Sequence, residues 1–126
     1  HLDFPKKKID PNTDIYLVNS YGKTKKFYKA CKNIFLGGSL INHGGQNPLE
    51  AARYGCKILH GPNVSNFKEI YRFLNKKKIS FKITNQIQLE KKLEENLKKK
   101  NQSKKIIDNL KLIGMDILKK TYKEIN

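Results

Sequence analysis

The sequence predicts an α/β fold, a parallel sheet flanked by helices. Two observations carry this expectation. Short β-branched and aromatic runs alternate with segments of helical periodicity, and glycine- or proline-bearing turns separate them. The stretch from residue 34 to residue 60 also reads as strand, glycine-rich loop, capped helix and strand, the crossover from which parallel sheets are built.

Residues 1–13 contain Pro5, Pro11 and Lys6-Lys7-Lys8 and are expected to form a lead-in segment, with the folded domain over 14–126. Ile15-Tyr16-Leu17-Val18 is predicted as a buried strand ending in the turn Asn19-Ser20-Tyr21-Gly22. Lys25 to Lys32 follows as a helix with Phe27, Tyr28 and Cys31 on one face, and Ile34-Phe35-Leu36 as a second strand halted by Gly37-Gly38. Asn47 suits a helix N-cap, Pro48 the first helical position and Glu50 the third, which is a capping box. That helix should run to about Tyr54 and end where Gly55 takes the left-handed conformation, before the strand Lys57-Ile58-Leu59-His60.

After Gly61-Pro62, Asn66 is expected to cap a helix carrying Phe67, Ile70, Tyr71 and Leu74 on one face, with Glu69 at its third position and Lys76-Lys77-Lys78 at its end. Ile79 to Ile83 reads as the last short strand. Leu89, Leu93 and Leu97 mark an amphipathic helix, and Ile106, Ile107, Leu110, Ile113, Ile117 and Leu118 a longer one beginning near Ser103. The resulting order, βαβαβαβαα, is that of an open, Rossmann-like, doubly wound half.

A chain of 126 residues is the size of one domain. Its 27 Lys+Arg against 11 Asp+Glu leave a net charge of +16, a surface that attracts nucleic acid, anionic lipid or phosphorylated ligands. The runs Lys6-Lys8, Lys76-Lys78 and Lys98-Lys100 read as solvated faces. Aromatic residues do not interleave with them in a base-stacking pattern, so sequence-specific nucleic-acid binding is not expected, and an anionic membrane surface suits them as well. Cys31 and Cys56 form no CxxC pair and have no histidine cluster beside them, which argues against a disulfide framework or a metal site and for a reduced compartment. No stretch approaches the roughly 20 apolar residues of a membrane-spanning helix, and the start has no signal-peptide layout. With no initiator Met, the chain is expected to be part of a longer protein.

Glycines ahead of a helix let backbone N–H groups approach a phosphate, so Gly44-Gly45-Gln46-Asn47 is either an anion cradle or a tight turn joining strand to helix. Glu50 is either the reciprocal partner in the capping box or an acceptor for ribose hydroxyls. His43 is a loop histidine that could donate to a phosphate or act as a general acid, with a structural role the more common alternative; His60 is weaker still.

The run from Phe35 to Ala52, Phe-Leu-Gly-Gly-Ser-Leu-Ile-Asn-His-Gly-Gly-Gln-Asn-Pro-Leu-Glu-Ala-Ala, resembles the signature of the 3-deoxy-D-manno-octulosonic acid (Kdo) transferases, and Gly61-Pro62 and Asn66-Phe67-Lys68-Glu69 follow at the family's distance. Asn19-Ser20-Tyr21-Gly22-Lys23 is similar to the family's upstream turn, with Lys23 where Glu is usual. The resemblance extends over about Ile15 to Leu97. It implies the carboxyl-terminal half of a GT-B glycosyltransferase that moves Kdo from CMP-Kdo to a lipid A precursor in lipopolysaccharide synthesis, peripherally at the cytoplasmic face of the bacterial inner membrane. By carry-over, Tyr21, Gly22 and Lys23 with Asn47, Pro48, Leu49 and Glu50 would bind the CMP-sugar, and Ser39, His43, Gly44, Gly45 and Gln46 would form a loop near its phosphate and sugar. No metal or cofactor is implied. The family's catalytic carboxylate and acceptor surface lie in its amino-terminal domain, so no catalytic residue is expected in this chain, and alone it would be inactive. A reading from another class, a non-catalytic basic module binding nucleic acid or anionic membrane, explains the charge but not the capped glycine-rich turn.

Overall fold

The computed structural model describes residues 9–125. Its elements are α1 (Thr24–Ala30), β1 (Asn33–Leu36), α2 (Leu49–Arg53), β2 (Lys57–His60), α3 (Lys68–Lys76), β3 (Ser80–Lys82), α4 (Gln86–Lys98) and α5 (Ser103–Ile125), with a 3₁₀ turn at Ser65–Phe67 ahead of α3. The three strands form one parallel sheet in the order β1-β2-β3. Both crossovers step the same way across the sheet, and right-handed connections then put α2 and α3 on one face.

Alternation along the strands sorts the side chains. Ile34, Ile58 and Ser80 lie in register on one face, Phe35, Leu59 and Phe81 on the other. On the first face, Ile58 packs with Leu36, with Ala51 and Ala52 of α2, and with Tyr71 and Leu74 of α3 to make the buried core. The two alanines leave room for this short helix to sit close to the sheet. Lys92 of α4 places its ammonium 4.6 Å from the Phe81 ring centre and so brings α4 to the second face. Asn85 caps α4, its side chain accepting from the Gln88 N–H at 2.9 Å.

The end of α2 fixes the start of α5. Gly55 has φ +80°, the left-handed conformation expected of a helix C′ residue, and a Cβ there would lie 2.5 Å from the Ser103 carbonyl oxygen. This close approach lets Ile106 enter the core, with Leu110 packing against it. Cys56 is wholly buried, and its thiol donates to the Tyr28 and Cys31 carbonyls at 3.2 and 3.3 Å. Burial, with Cys31 second, pushes this thiol up to about 11, which makes it an unreactive packing group.

Three sequence expectations need correction. Ile15-Tyr16-Leu17-Val18 forms no strand, and Ile15 and Leu17 are 87% and 72% exposed. An apolar run becomes a strand where a sheet edge and a core receive it, and here it adds nothing to the sheet. The doubly wound half with four strands is therefore a three-stranded sheet, and the order is αβαβαβαα. Asn66 does not cap α3, whose first residue is Lys68. Instead the 3₁₀ turn carries Asn66 to Gly44, where its N–H donates to the Gly44 carbonyl at 3.2 Å. Glu50 does not close the capping box; its carboxylate faces Lys25 instead. Pro5 and the run Lys6-Lys8 lie outside the described residues. No described helix is long and apolar enough to cross a membrane.

Candidate functional site

In parallel sheets the strands' carboxyl ends open into a crevice that the following loops shape. Here the loops after β1 and β2 are stitched together there by Ser39, which is wholly buried. Its hydroxyl donates to the Leu36 carbonyl at 2.7 Å and accepts from the Gly61 N–H at 2.8 Å, while its own carbonyl accepts from the Asn63 N–H at 2.8 Å. Gly61 must be glycine, because a Cβ would overlap the Ser39 backbone.

The glycine-rich segment then folds back on itself. The Gly45 N–H donates to the Gly38 carbonyl at 3.0 Å. Gly44 has φ +80° and lies against the Asn66 side chain so closely that a Cβ would collide with it. Tyr71, from the buried face of α3, donates its hydroxyl to the Gln46 carbonyl at 2.8 Å. Two buried side chains, Ser39 and Tyr71, thus hold the loop from beneath, and its outer side chains, His43, Gln46 and Asn47, face solvent.

The Asn47 side chain accepts from the Leu49 N–H at 3.0 Å, but α2 begins at Leu49 with Pro48 in the N-cap position, one residue later than the sequence predicts. Pro48 is buried beneath the turn. Glu50 lies at the exposed start of α2, and its carboxylate is 3.9 Å from the Lys25 ammonium. Lys25 belongs to the first turn of α1, directly after Tyr21-Gly22-Lys23, and Lys23 opens that helix, its carbonyl accepting from the Lys26 N–H at 3.0 Å. The predicted residues therefore fall into two turns, 21–23 and 47–50, joined across the surface by Lys25 and Glu50. Tyr28 lies beneath this junction; burial first, and the Glu50 carboxylate second, hold its phenol above the usual range, so it stays neutral. Tyr21 is fully exposed.

The second histidine has a structural place. His60 is buried at the end of β2, with Nδ1 2.7 Å from the Gly61 carbonyl oxygen, Nε2 3.2 Å from the Asn75 side-chain oxygen, and its ring 4.3 Å from that of Tyr71. Burial pushes its pKa down, so the ring is neutral. Beside the loop, Asn42, Pro62, Asn63, Val64, Ser65 and Lys68 line a recess of about 320 Å³. Exposed amides, a histidine, a carboxylate and lysines are groups that can hydrogen-bond a polar ligand and neutralise a phosphate.

Sequence reasoning missed two supports of this site. Lys25 was only a position in a helix, since nothing local links it to Glu50. Tyr71 fits the apolar periodicity of its helix; the signal for its second role is the hydroxyl, which a buried tyrosine must satisfy.

No family model matches the chain. A 3-deoxy-D-manno-octulosonic acid transferase of Aquifex aeolicus is 33% identical over 91 residues, covering 72% of this chain and 26% of the relative. One of Haemophilus influenzae is 40% identical over 63 residues, 50% of this chain and 15% of the relative. A bifunctional glycosyltransferase/methyltransferase of Fusobacterium nucleatum is 31% identical over 110 residues, 85% of this chain and 17% of the relative. The chain thus spans about a quarter or less of the length of these relatives. Repeated matches to proteins of one name, together with the parallel α/β sheet, show that the chain belongs to the Kdo transferase family.

Proposed function

We propose that this chain is the donor-binding part of a glycosyltransferase that moves Kdo from CMP-Kdo to a lipid A precursor. The observation that supports the reading best is the pairing of Lys25 with Glu50 at 3.9 Å, which brings the helix that follows Tyr21-Gly22-Lys23 to the start of α2 beside Asn47-Pro48-Leu49. Glu50 is held by one exposed lysine, so its carboxylate is open to ribose hydroxyls, and Lys23 and Lys25 offset the donor's phosphate. The loop Ser39 to Gln46 stands next to the sugar, its backbone held by Ser39 and Tyr71. Holding the donor in one orientation is this part's contribution to the rate. The base that assists inversion at the anomeric carbon, and the acceptor surface, belong to the rest of the enzyme, which works at the cytoplasmic face of the inner membrane.

A two-dimensional amide NMR titration with CMP, using UMP and AMP as controls, tests the reading. Saturable shifts at Tyr21 to Lys23 and Asn47 to Glu50 that favour CMP are expected. Equal, salt-sensitive shifts scattered over the lysines with all three nucleotides would overturn it.

A further inference from the structure

The opposite end of the sheet holds a cluster that the donor reading does not use. Around the amino-terminal ends of β2 and β3, a cavity of about 520 Å³ is walled by β2, the α3–β3 turn, α4 and the beginning of α5. Its lining includes Lys57, Lys77, Lys78, Lys92, Lys99 and Lys105, and no carboxylate. Lysines in a sequence rich in them fall mostly on separate solvated faces. Here, lysines from separate elements line one space. The volume is that of a small-molecule cleft, roughly 300–1,000 Å³.

Two of these cations are held against one aromatic ring. The Lys57 ammonium donates to the Lys78 carbonyl at 2.9 Å and lies 5.4 Å from the Phe81 ring centre; the Lys92 ammonium lies 4.6 Å from the same centre. Fixing an ammonium against an aromatic face and a carbonyl removes much of the entropy cost that a free lysine meets on binding a ligand. Among the described residues, the ion pair at this cluster is Lys92 with Glu95 at 2.7 Å. The repulsion that remains is felt at Lys57: burial lowers its pKa first, and Lys99, Lys92 and Lys105 lower it further. Gln102 and Asn109 add neutral polar groups to the walls.

We propose that this cavity is a binding site for a phosphate group bearing two or more negative charges, carried by a soluble molecule or by a lipid headgroup. Such an anion replaces mutual repulsion of the lysines with charge-assisted hydrogen bonds and leaves the glycine-rich loop at the other end of the sheet free.

The test titrates the chain with inorganic pyrophosphate, read by amide NMR. Saturable shifts are expected at Lys57, Phe81, Lys92 and Lys105. The double variant Lys99→Gln/Lys105→Gln removes two exposed cations from the rim and leaves Lys57 in place, so it should fold normally and bind about tenfold more weakly. Lys119→Gln/Lys123→Gln makes the same charge change on an exposed stretch of α5 and should leave binding within twofold or so. A sedimentation arm compares phosphatidylcholine vesicles with phosphatidylcholine vesicles containing phosphatidic acid. Capture by the latter that depends on Lys99 and Lys105 assigns the phosphate to a lipid, and pyrophosphate binding without capture assigns it to a soluble ligand. Shifts that fail to saturate, or equal weakening by both variant pairs, would overturn the site. None of these outcomes depends on whether CMP binds.

Discussion

Replacing Ser39 with alanine removes one oxygen and tests how the loops after β1 and β2 are joined. The hydroxyl is wholly buried and makes two bonds, to the Leu36 carbonyl at 2.7 Å and from the Gly61 N–H at 2.8 Å. Alanine fits the space but satisfies neither. A buried N–H left without a partner costs about 1–3 kcal/mol and the lost bond to the carbonyl about 1 kcal/mol, so the variant should be less stable by about 2–4 kcal/mol. For a domain of this size that lowers the melting temperature by about 8–16 °C. Urea unfolding should show a lower midpoint with an unchanged slope, since little surface exposure changes. The amide of Gly61 should also exchange its hydrogen faster than those of β2. A loss below about 0.5 kcal/mol would refute the reasoning, because it would mean that another acceptor serves Gly61 and that Ser39 does not join the loops.

Further outcomes follow from the same geometry. Gly55→Ala should lose about 2 kcal/mol or more, since a Cβ would sit 2.5 Å from the Ser103 carbonyl in a left-handed backbone; a melting temperature within a degree or two of the parent would show that α5 does not dock there. His60 should make the domain acid-sensitive. Burial lowers its folded pKa below the ordinary 6.5, so the unfolded chain binds the proton first, and stability present above about pH 6.5 is lost as pH falls toward the folded value. A denaturant midpoint that does not fall over that interval, or falls equally in His60→Gln, would exclude this role. Glu50→Gln should change stability by only a few tenths of a kcal/mol, because its pairing with Lys25 is exposed and 3.9 Å long, yet weaken CMP binding several-fold. Unchanged CMP affinity, measured by the NMR titration, would remove Glu50 from the donor site.

Local chemistry in the sequence determined much of this molecule. The strands at Ile34 to Leu36, Lys57 to His60 and within Ile79 to Ile83, the left-handed Gly55 and the start of α5 at Ser103 all follow from neighbours a few residues apart. The long motif from Phe35 to Ala52 likewise carries the family. Tertiary structure decided what depends on partners distant in the chain. Ile15 to Val18 has the composition of a strand but does not join the sheet, and Asn66 has the chemistry of a cap but is drawn to Gly44. The supports of the candidate site, Ser39 to Gly61, Tyr71 to Gln46 and Lys25 to Glu50, link segments that only the parallel crossovers bring together. The lysine cavity is of the same kind: composition supplies the positive charge, while the packing of α4 and α5 at the sheet's amino-terminal edge decides that six lysines line one space. Propensities and caps act over one helical turn, whereas charge convergence and loop closure are properties of the packed chain.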